Sequence, residues 1–249
     1  MIPKIIHYCW FGGNPLPPLA EKCIASWKKF FPDYEIKRWD ESNFDVNIIP
    51  YTAEAYKAKK YAFVSDYARF YILYQYGGLY FDTDVEVIRS MDDIIARGPF
   101  MGCQGEAEQP VNGSRDKATT LGVAPGLGLG VNPGLGLYKK LLDVYAGMNF
   151  DRDSNGVPLY TVVDITTDLL VKEGLKNTKD IQFIDGVYIY PVDYFNPISI
   201  VTKRLKITKN TRSIHHFMAS WKKESLLDKI KAVMRPLIPT KILLMWNKR

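Results

Sequence analysis

Asp82 and Asp84 lie two positions apart within the apolar stretch Leu79-Tyr80-Phe81-Asp82-Thr83-Asp84-Val85-Glu86-Val87-Ile88. Two carboxylates at that spacing can present oxygen ligands to a hard divalent cation. A D-x-D pair also fits a solvated, half-exposed strand. The apolar flanks favour the cation, because two buried and unpaired carboxylates are too costly to persist without a partner.

Other residues with chemical potential surround this motif in the sequence. In Ser65-Asp66-Tyr67-Ala68-Arg69, helical spacing puts Ser65, Asp66 and Arg69 on one face. An exposed ion pair is the simple reading of Asp66 and Arg69. The alternative is a guanidinium delivered to the crevice of the D-x-D segment, where it would grip phosphate oxygens and sugar hydroxyls. Trp10 ends an apolar run just before Gly12-Gly13. It fits a core position, or a flat face on which a nucleobase stacks. Late in the chain, His215-His216-Phe217-Met218-Ala219-Ser220-Trp221 brings two imidazoles, a hydroxyl and an indole together. Either histidine is structural or supplies a neutral nitrogen ligand for the same cation. The run Gly126-Leu127-Gly128-Leu129-Gly130 matches neither a dinucleotide fingerprint nor a P-loop, so its glycines are read as turn and backbone-packing positions.

The elements that must position these groups follow from periodicity. Lys4 to Phe11 reads as a buried strand, Leu19 to Phe31 as a helix, and Tyr34 to Trp39 as a second strand. That order opens an α/β domain with a mixed, mostly parallel sheet flanked by helices. Thr52 to Tyr76 reads as one long helix closed at Gly77-Gly78. Leu79 to Ile88 then reads as one strand, whose alternation sends Tyr80, Asp82, Asp84 and Glu86 to the same face. Residues between Gly98 and Gly136 read as loop, followed by helices at Leu137 to Tyr145 and Val162 to Glu173. Short strands are expected at Ile181 to Ile184 and Val187 to Tyr190.

Composition narrows the class. The 249 residues support one sizeable domain, placed at residues 1–221, with an appended tail at 222–249. Trp221 to Arg249 holds eight Lys or Arg against two acidic residues, which accounts for the whole net charge of +6. The near-neutral remainder excludes a broad nucleic-acid footprint. The tail's basic and apolar mixture suits either a capping helix or a surface that docks on anionic lipid. No stretch of signal or membrane-spanning length is seen, so a cytoplasmic enzyme, peripheral on the inner face of a membrane, is expected. Cys9, Cys23 and Cys103 lack zinc-ligand spacing and are read as reduced packing residues.

Four blocks taken in order carry a resemblance: Ile5 through Gly13, Ser65 through Arg69, Tyr76 through Asp84, and His215 through Trp221. Together they resemble the D-x-D sugar transferases of glycosyltransferase family 32. That family includes yeast initiating mannosyltransferases and bacterial capsule and lipopolysaccharide enzymes, and its core is similar to that of clostridial glucosylating toxins. The resemblance implies a GT-A type nucleotide-sugar-binding fold. It implies that Trp10 stacks on the base, that Asp66 and Arg69 hold the donor sugar, and that Tyr80 and Asp82 contact the ribose and sugar. Asp84 would bind Mn²⁺ or Mg²⁺ directly, His215 would be a further ligand, and Ser220 and Trp221 would close over the diphosphate. Leu121 to Gly136 departs from the family pattern, which leaves the acceptor open.

The expected activity is metal-dependent, retaining transfer of a hexose or N-acetylhexosamine from a nucleotide-sugar, with UDP favoured by the resemblance. The acceptor would be a glycan, lipid-linked, in bacterial capsule, exopolysaccharide or lipopolysaccharide synthesis. Two alternatives stand beside it. A haloacid-dehalogenase-type phosphatase also places two aspartates two apart after an apolar strand, but normally opens its domain with them. A non-catalytic sugar- or cation-binding module would carry the same ligands without turnover.

Overall fold

The structure is a computed structural model that describes residues 1–105, 121–151, 159–199, 202 and 204–218. The expected tail at 222–249 lies outside the described residues, as do Ser220 and Trp221.

The chain opens as anticipated, with strand β1 (Ile5–Cys9), helix α1 (Pro18–Phe30) and strand β2 (Glu35–Trp39). β1 and β2 pair in parallel, from Ile5 opposite Glu35 to Cys9 opposite Trp39. Proline at the start of α1 needs no hydrogen-bonded N–H, and Lys28 and Lys29 in the last turn complement the helix dipole.

The expected single helix from Thr52 to Tyr76 is instead two, α2 (Pro50–Lys57) and α3 (Tyr61–Tyr76). Between them Lys59 adopts a φ of 56°, which a continuous helix forbids. α3 ends at Gly77, with a φ of 64°, and Gly78 follows at 99°. A Cβ on Gly78 would lie 2.6 Å from the Ile5 backbone oxygen, so only glycine lets the chain turn this close to β1.

The expected single strand from Leu79 to Ile88 is likewise two, β3 (Gly78–Tyr80) and β4 (Val85–Val87). Beyond them come α4 (Asp92–Arg97), β5 (Phe100–Gln104), β6 (Gly122–Val123), a 3₁₀ turn at Pro125–Leu127 and β7 (Leu129–Val131). The Gly98 to Gly136 region therefore carries three strands where a loop was expected. Its glycines accommodate close packing, since a Cβ on Gly130 would overlap the Phe100 ring. α5 (Gly136–Ala146), α6 (Val162–Lys172), β8 (Gln182–Ile184) and β9 (Val187–Tyr190) lie where periodicity placed them. α7 (Val192–Phe195) and β10 (Ser213–His215) complete the order.

Strands run β2-β1-β3-β7-β5-β9-β8 across the main sheet, with β6 paired to β5. Antiparallel β7 sits between β3 and β5, so β2, β1, β3, β5 and β9 all point the same way. The fold is thus α/β, with a mixed sheet whose strands are mostly parallel in direction. Successive residues of β3 and just beyond it enter opposite cores, Leu79 and Phe81 joining one cluster and Tyr80 the other. The Tyr80 side carries α2, α3, α5 and α6, while the Leu79 side carries α1 and α4. Helices therefore cover both faces. β4 and β10 form a separate antiparallel pair at the carboxyl end of β3. No helix among the described residues is long and apolar enough to cross a membrane. Cys9, Cys23 and Cys103 are free and buried, as packing residues should be.

Candidate active site

The D-x-D motif occupies the crossing between β3 and β4 rather than the middle of a strand. Three backbone bonds fix it there. Phe81 N–H donates to His7 O at 3.2 Å, Asp82 N–H to Gly126 O at 3.3 Å, and Val85 N–H to Asp82 O at 3.0 Å. The last of these closes a turn, so alternation is not what brings the two carboxylates together. It is the turn that does so, at the end of a central strand where open α/β sheets bind ligands.

His7 is the pivot beneath this crossing. Fully buried, its Nε2–H donates to Gly77 O at 3.0 Å and its Nδ1 accepts the Trp39 indole N–H at 3.0 Å. Burial holds its pKa down at about 4, so the ring is neutral. The ring thereby pins the glycine turn of α3 to β1.

Asp66 and Arg69 are brought to the motif, and they are buried rather than paired on the surface. Arg69 Nε–H donates to Ser65 O at 3.0 Å, and Nη2–H donates to Asp66 Oδ1 at 2.8 Å. The same Nη2 lies 3.3 Å from Asp82 Oδ1, and the guanidinium stacks 5.0 Å from the Tyr80 ring centre. Tyr80 O–H also donates to Asp82 Oδ1, at 3.2 Å. Burial raises the Asp66 pKa to about 7, with Arg69 opposing and Asp82 reinforcing. Burial likewise raises Asp82, against the pull of Arg69 and with the push of Asp84. Asp82 nevertheless keeps 28% of its side chain exposed, so of this trio it is the group that faces outward.

Asp84 is gripped from the late segment. His215 Nε2 lies 3.1 Å from Asp84 Oδ1, Met218 N–H donates to Oδ2 at 2.8 Å, and His216 N–H donates to the Asp84 backbone oxygen at 3.0 Å. Burial works to raise its pKa, but the His215 and Met218 contacts bring it below the usual range. Pairing of β10 with β4 sets His215 opposite Val85 and so delivers the imidazole. Asp82, Asp84 and His215 each offer a ligand atom, all within 4.8 Å of one another. The buried His215 Nδ1 has no hydrogen-bond partner among the described residues. Two carboxylates and an imidazole, one of whose nitrogens is unsatisfied, fit a divalent cation of the manganese or magnesium type.

Of the two histidines, His215 faces Asp84 while His216 turns to Glu86, at 2.9 Å between Nε2 and Oε2. Glu86 also takes Lys22 Nζ–H at 2.9 Å. Glu86 therefore does not share the carboxylate face that alternation assigned to it. Trp10 is half-buried, with its indole N–H donated to Asn14 O at 2.7 Å. Sequence reading missed Gly126. A Cβ there would overlap Asp82 Oδ2 and lie 3.4 Å from Arg69 Nη1. The glycine run was legible, but which member meets the carboxylate depends on a turn brought in from 44 residues away.

Residues 17–101 match the family described as "Glycosyltransferase sugar-binding region containing DXD motif". Inositol phosphoceramide mannosyltransferase 3 of Schizosaccharomyces pombe is 38% identical over 101 residues, which is 38% of this chain and 27% of that protein. An uncharacterized glycosyltransferase of Acanthamoeba polyphaga mimivirus is 26% identical over 210 residues, covering 79% of this chain and 76% of that one. Inositol phosphoceramide mannosyltransferase 1 of Schizosaccharomyces pombe is 26% identical over 111 residues, 40% of this chain and 33% of that protein. The chain thus spans about a quarter to a third of the two yeast proteins. Among solved structures, the PaToxG Glycosyltransferase has a TM-score of 0.49 at 20% identity, over 70% of each chain. Two of the four sequence blocks, Ser65 through Arg69 and Tyr76 through Asp84, lie within the matched residues 17–101. The match falls on the transferase side of the earlier alternatives and gives the phosphatase reading no support.

Proposed function

We propose that this chain, through its D-x-D sugar-binding region, transfers a hexose or N-acetylhexosamine from a nucleotide-sugar to a glycan or glycolipid acceptor, with a divalent cation as cofactor. The observation that carries the reading is the convergence of Asp82, Asp84 and His215 beside the buried Asp66–Arg69 pair. Acidic groups alone would repel a nucleoside diphosphate. A fixed guanidinium adjoining a cation site instead offsets that charge and presents a Lewis acid and hydrogen-bond donors to one.

Asp84, Asp82 and His215 would hold Mn²⁺ or Mg²⁺, Asp84 most directly because the late segment immobilises both its oxygens. Such a cation, when bound, supplies Lewis-acid stabilisation to the departing diphosphate. Arg69 needs little reorganisation to serve, since Ser65 O, Asp66 and the Tyr80 ring already set its plane. Asp66 would orient that guanidinium, and the outward-facing Asp82 would accept sugar hydroxyls. Trp10 would stack on the base, with Ser220 and Trp221 closing over the diphosphate. Among the described residues no side chain at the site is assigned as a covalent nucleophile, and on this reading transfer with retention would proceed by same-face attack through an oxocarbenium-like state. NMR assignment of an inverted product anomer would overturn that course.

Two relatives are named for mannose transfer to a ceramide lipid, which supports a lipid-linked acceptor and adds mannose to the candidate hexoses. UDP-sugars remain the favoured donors, and action on membrane-borne bacterial surface glycans, at the inner membrane face, is the expected setting. A mass-spectrometric screen of UDP- and GDP-sugars with manganese tests the proposal. The expected result is turnover of at least one donor, lost in Asp84→Ala. Turnover of simple phosphate esters in place of any nucleotide-sugar would sink it.

A further inference from the structure

We infer that Glu86 and His216 are positioning residues, a strut that keeps His215 and Asp84 in register for the cation. The inference rests on the metal-dependent reading proposed above.

The ladder between β4 and β10 is only three pairs long: Ser213 with Val87, Ile214 with Glu86, and His215 with Val85. So short a pairing fixes a strand weakly. The residue that follows it, His216, is tied twice. Its side chain meets Glu86 at 2.9 Å, and its backbone N–H meets the Asp84 oxygen at 3.0 Å. One residue thus couples Glu86, outside the ligand set, to Asp84 within it.

Phe217 comes next, with a φ of 51°. A bulky residue in the left-handed region is strained and persists only where its surroundings over-determine it. Met218 supplies the far tether, through its N–H to Asp84 Oδ2 at 2.8 Å. The near tether is His216 on Glu86. Glu86 is itself held by Lys22 from α1, so the strut ends on a helix and not on a loop. Without the His216 contact, the strained turn has one fewer reason to keep both Asp84 oxygens engaged and His215 in place.

Binding of manganese(II) alone to the full chain, followed by electron paramagnetic resonance of the free ion, tests this. Glu86→Ala and His216→Ala are each expected to raise Kd by about 10- to 100-fold, the usual effect of removing a partner outside the ligand shell. The double variant should be no weaker than either single one, since both remove the same contact. Glu86→Gln, which keeps an acceptor for the imidazole N–H, should restore Kd to within about threefold of the parent. Near-UV circular dichroism checks that each variant is folded. His216→Asn, too short to reach Glu86, takes the place of an alanine variant that does not fold. Alanine or asparagine variants that bind within about twofold of the parent would overturn the strut. A parent that shows no manganese(II) binding removable by Asp84→Ala would instead overturn the metal-dependent reading, and the strut's role with it.

Discussion

Arg69 lies 2.8 Å from Asp66 with only 4% and 9% of the two side chains exposed, yet the same nitrogen is 3.3 Å from Asp82. One cation therefore serves two carboxylates. Burial raises the Asp66 pKa to about 7 from an ordinary 3.8, so the folded state binds this proton more tightly than the unfolded chain does. Its stabilising effect is present at low pH and is lost as pH rises from about 4 through about 7. Asp66→Asn should accordingly gain stability relative to the parent across that window and level off above it. Transfer should fall by about a hundredfold, because the amide keeps an acceptor for the guanidinium but removes the charge that orients it. Urea titrations at several pH values, paired with donor turnover, check both parts. A stability difference that does not change with pH would contradict the first.

His215 offers a different separation of stability from activity. Its buried Nδ1 has no partner among the described residues, so His215→Ala removes that unsatisfied atom together with a proposed ligand. The manganese concentration for half-maximal turnover should rise by about tenfold or more, with Tm little changed. Chelation should abolish turnover in the parent, and added manganese should restore it. Full turnover in excess chelator would rule out the cation role.

Gly126 should be intolerant of any side chain. A Cβ there overlaps Asp82 Oδ2 and can be relieved only by moving that carboxylate away from Arg69 and Tyr80. Gly126→Ala is expected to lower donor kcat/KM by about 10- to 100-fold, as displacements near 1 Å at a reacting centre do. Steady-state kinetics decide it, and a loss smaller than about threefold would mean that Asp82 need not sit where it does.

His7 gives a pH signature of the fold itself. Its pKa is depressed from 6.5 to about 4 by burial, so the unfolded chain binds more protons between those values. Stability is full above about 6.5 and falls as pH drops towards 4, by about 3 kcal/mol in total. His7→Gln should be less stable at pH 7, having disturbed the Gly77 and Trp39 contacts, but should lose less on acidification. Parallel acid-side denaturation curves for the two proteins would refute this.

Much of the scaffold was legible in the sequence because glycine and proline punctuate it. β9 falls on Val187–Tyr190 as its pattern indicated, and α3 stops where Gly77 permits a positive φ. The break at Lys59 carried no such signal, since a lysine with a φ of 56° looks like any helix former. The D-x-D crossing was misread for the opposite reason: apolar flanks continued the strand pattern through a turn closed by a backbone bond. β5 and β7 were hidden because their glycines serve packing, Gly130 yielding its side-chain space to Phe100. At the site, Asp82 and Asp84 were visible from spacing alone. His215 was singled out from the sequence and given a ligand role by the resemblance, but a three-residue ladder to a strand far upstream leaves no periodic trace, so its placement beside Asp84 was not. Glu86 was noticed and assigned the wrong neighbours.

The His216–Glu86 and Met218–Asp84 contacts join residues 130 and 134 positions apart. Loop closures of that span are slow to form, and contacts of this kind come after local ones in the order of folding. The helices and the first parallel strands can assemble while the D-x-D turn still lacks its imidazole. On the proposed metal-dependent reading, competence to hold a cation is then acquired last, when β10 docks, so a chain interrupted before residue 213 would keep its leading β-α-β unit and lose the proposed site.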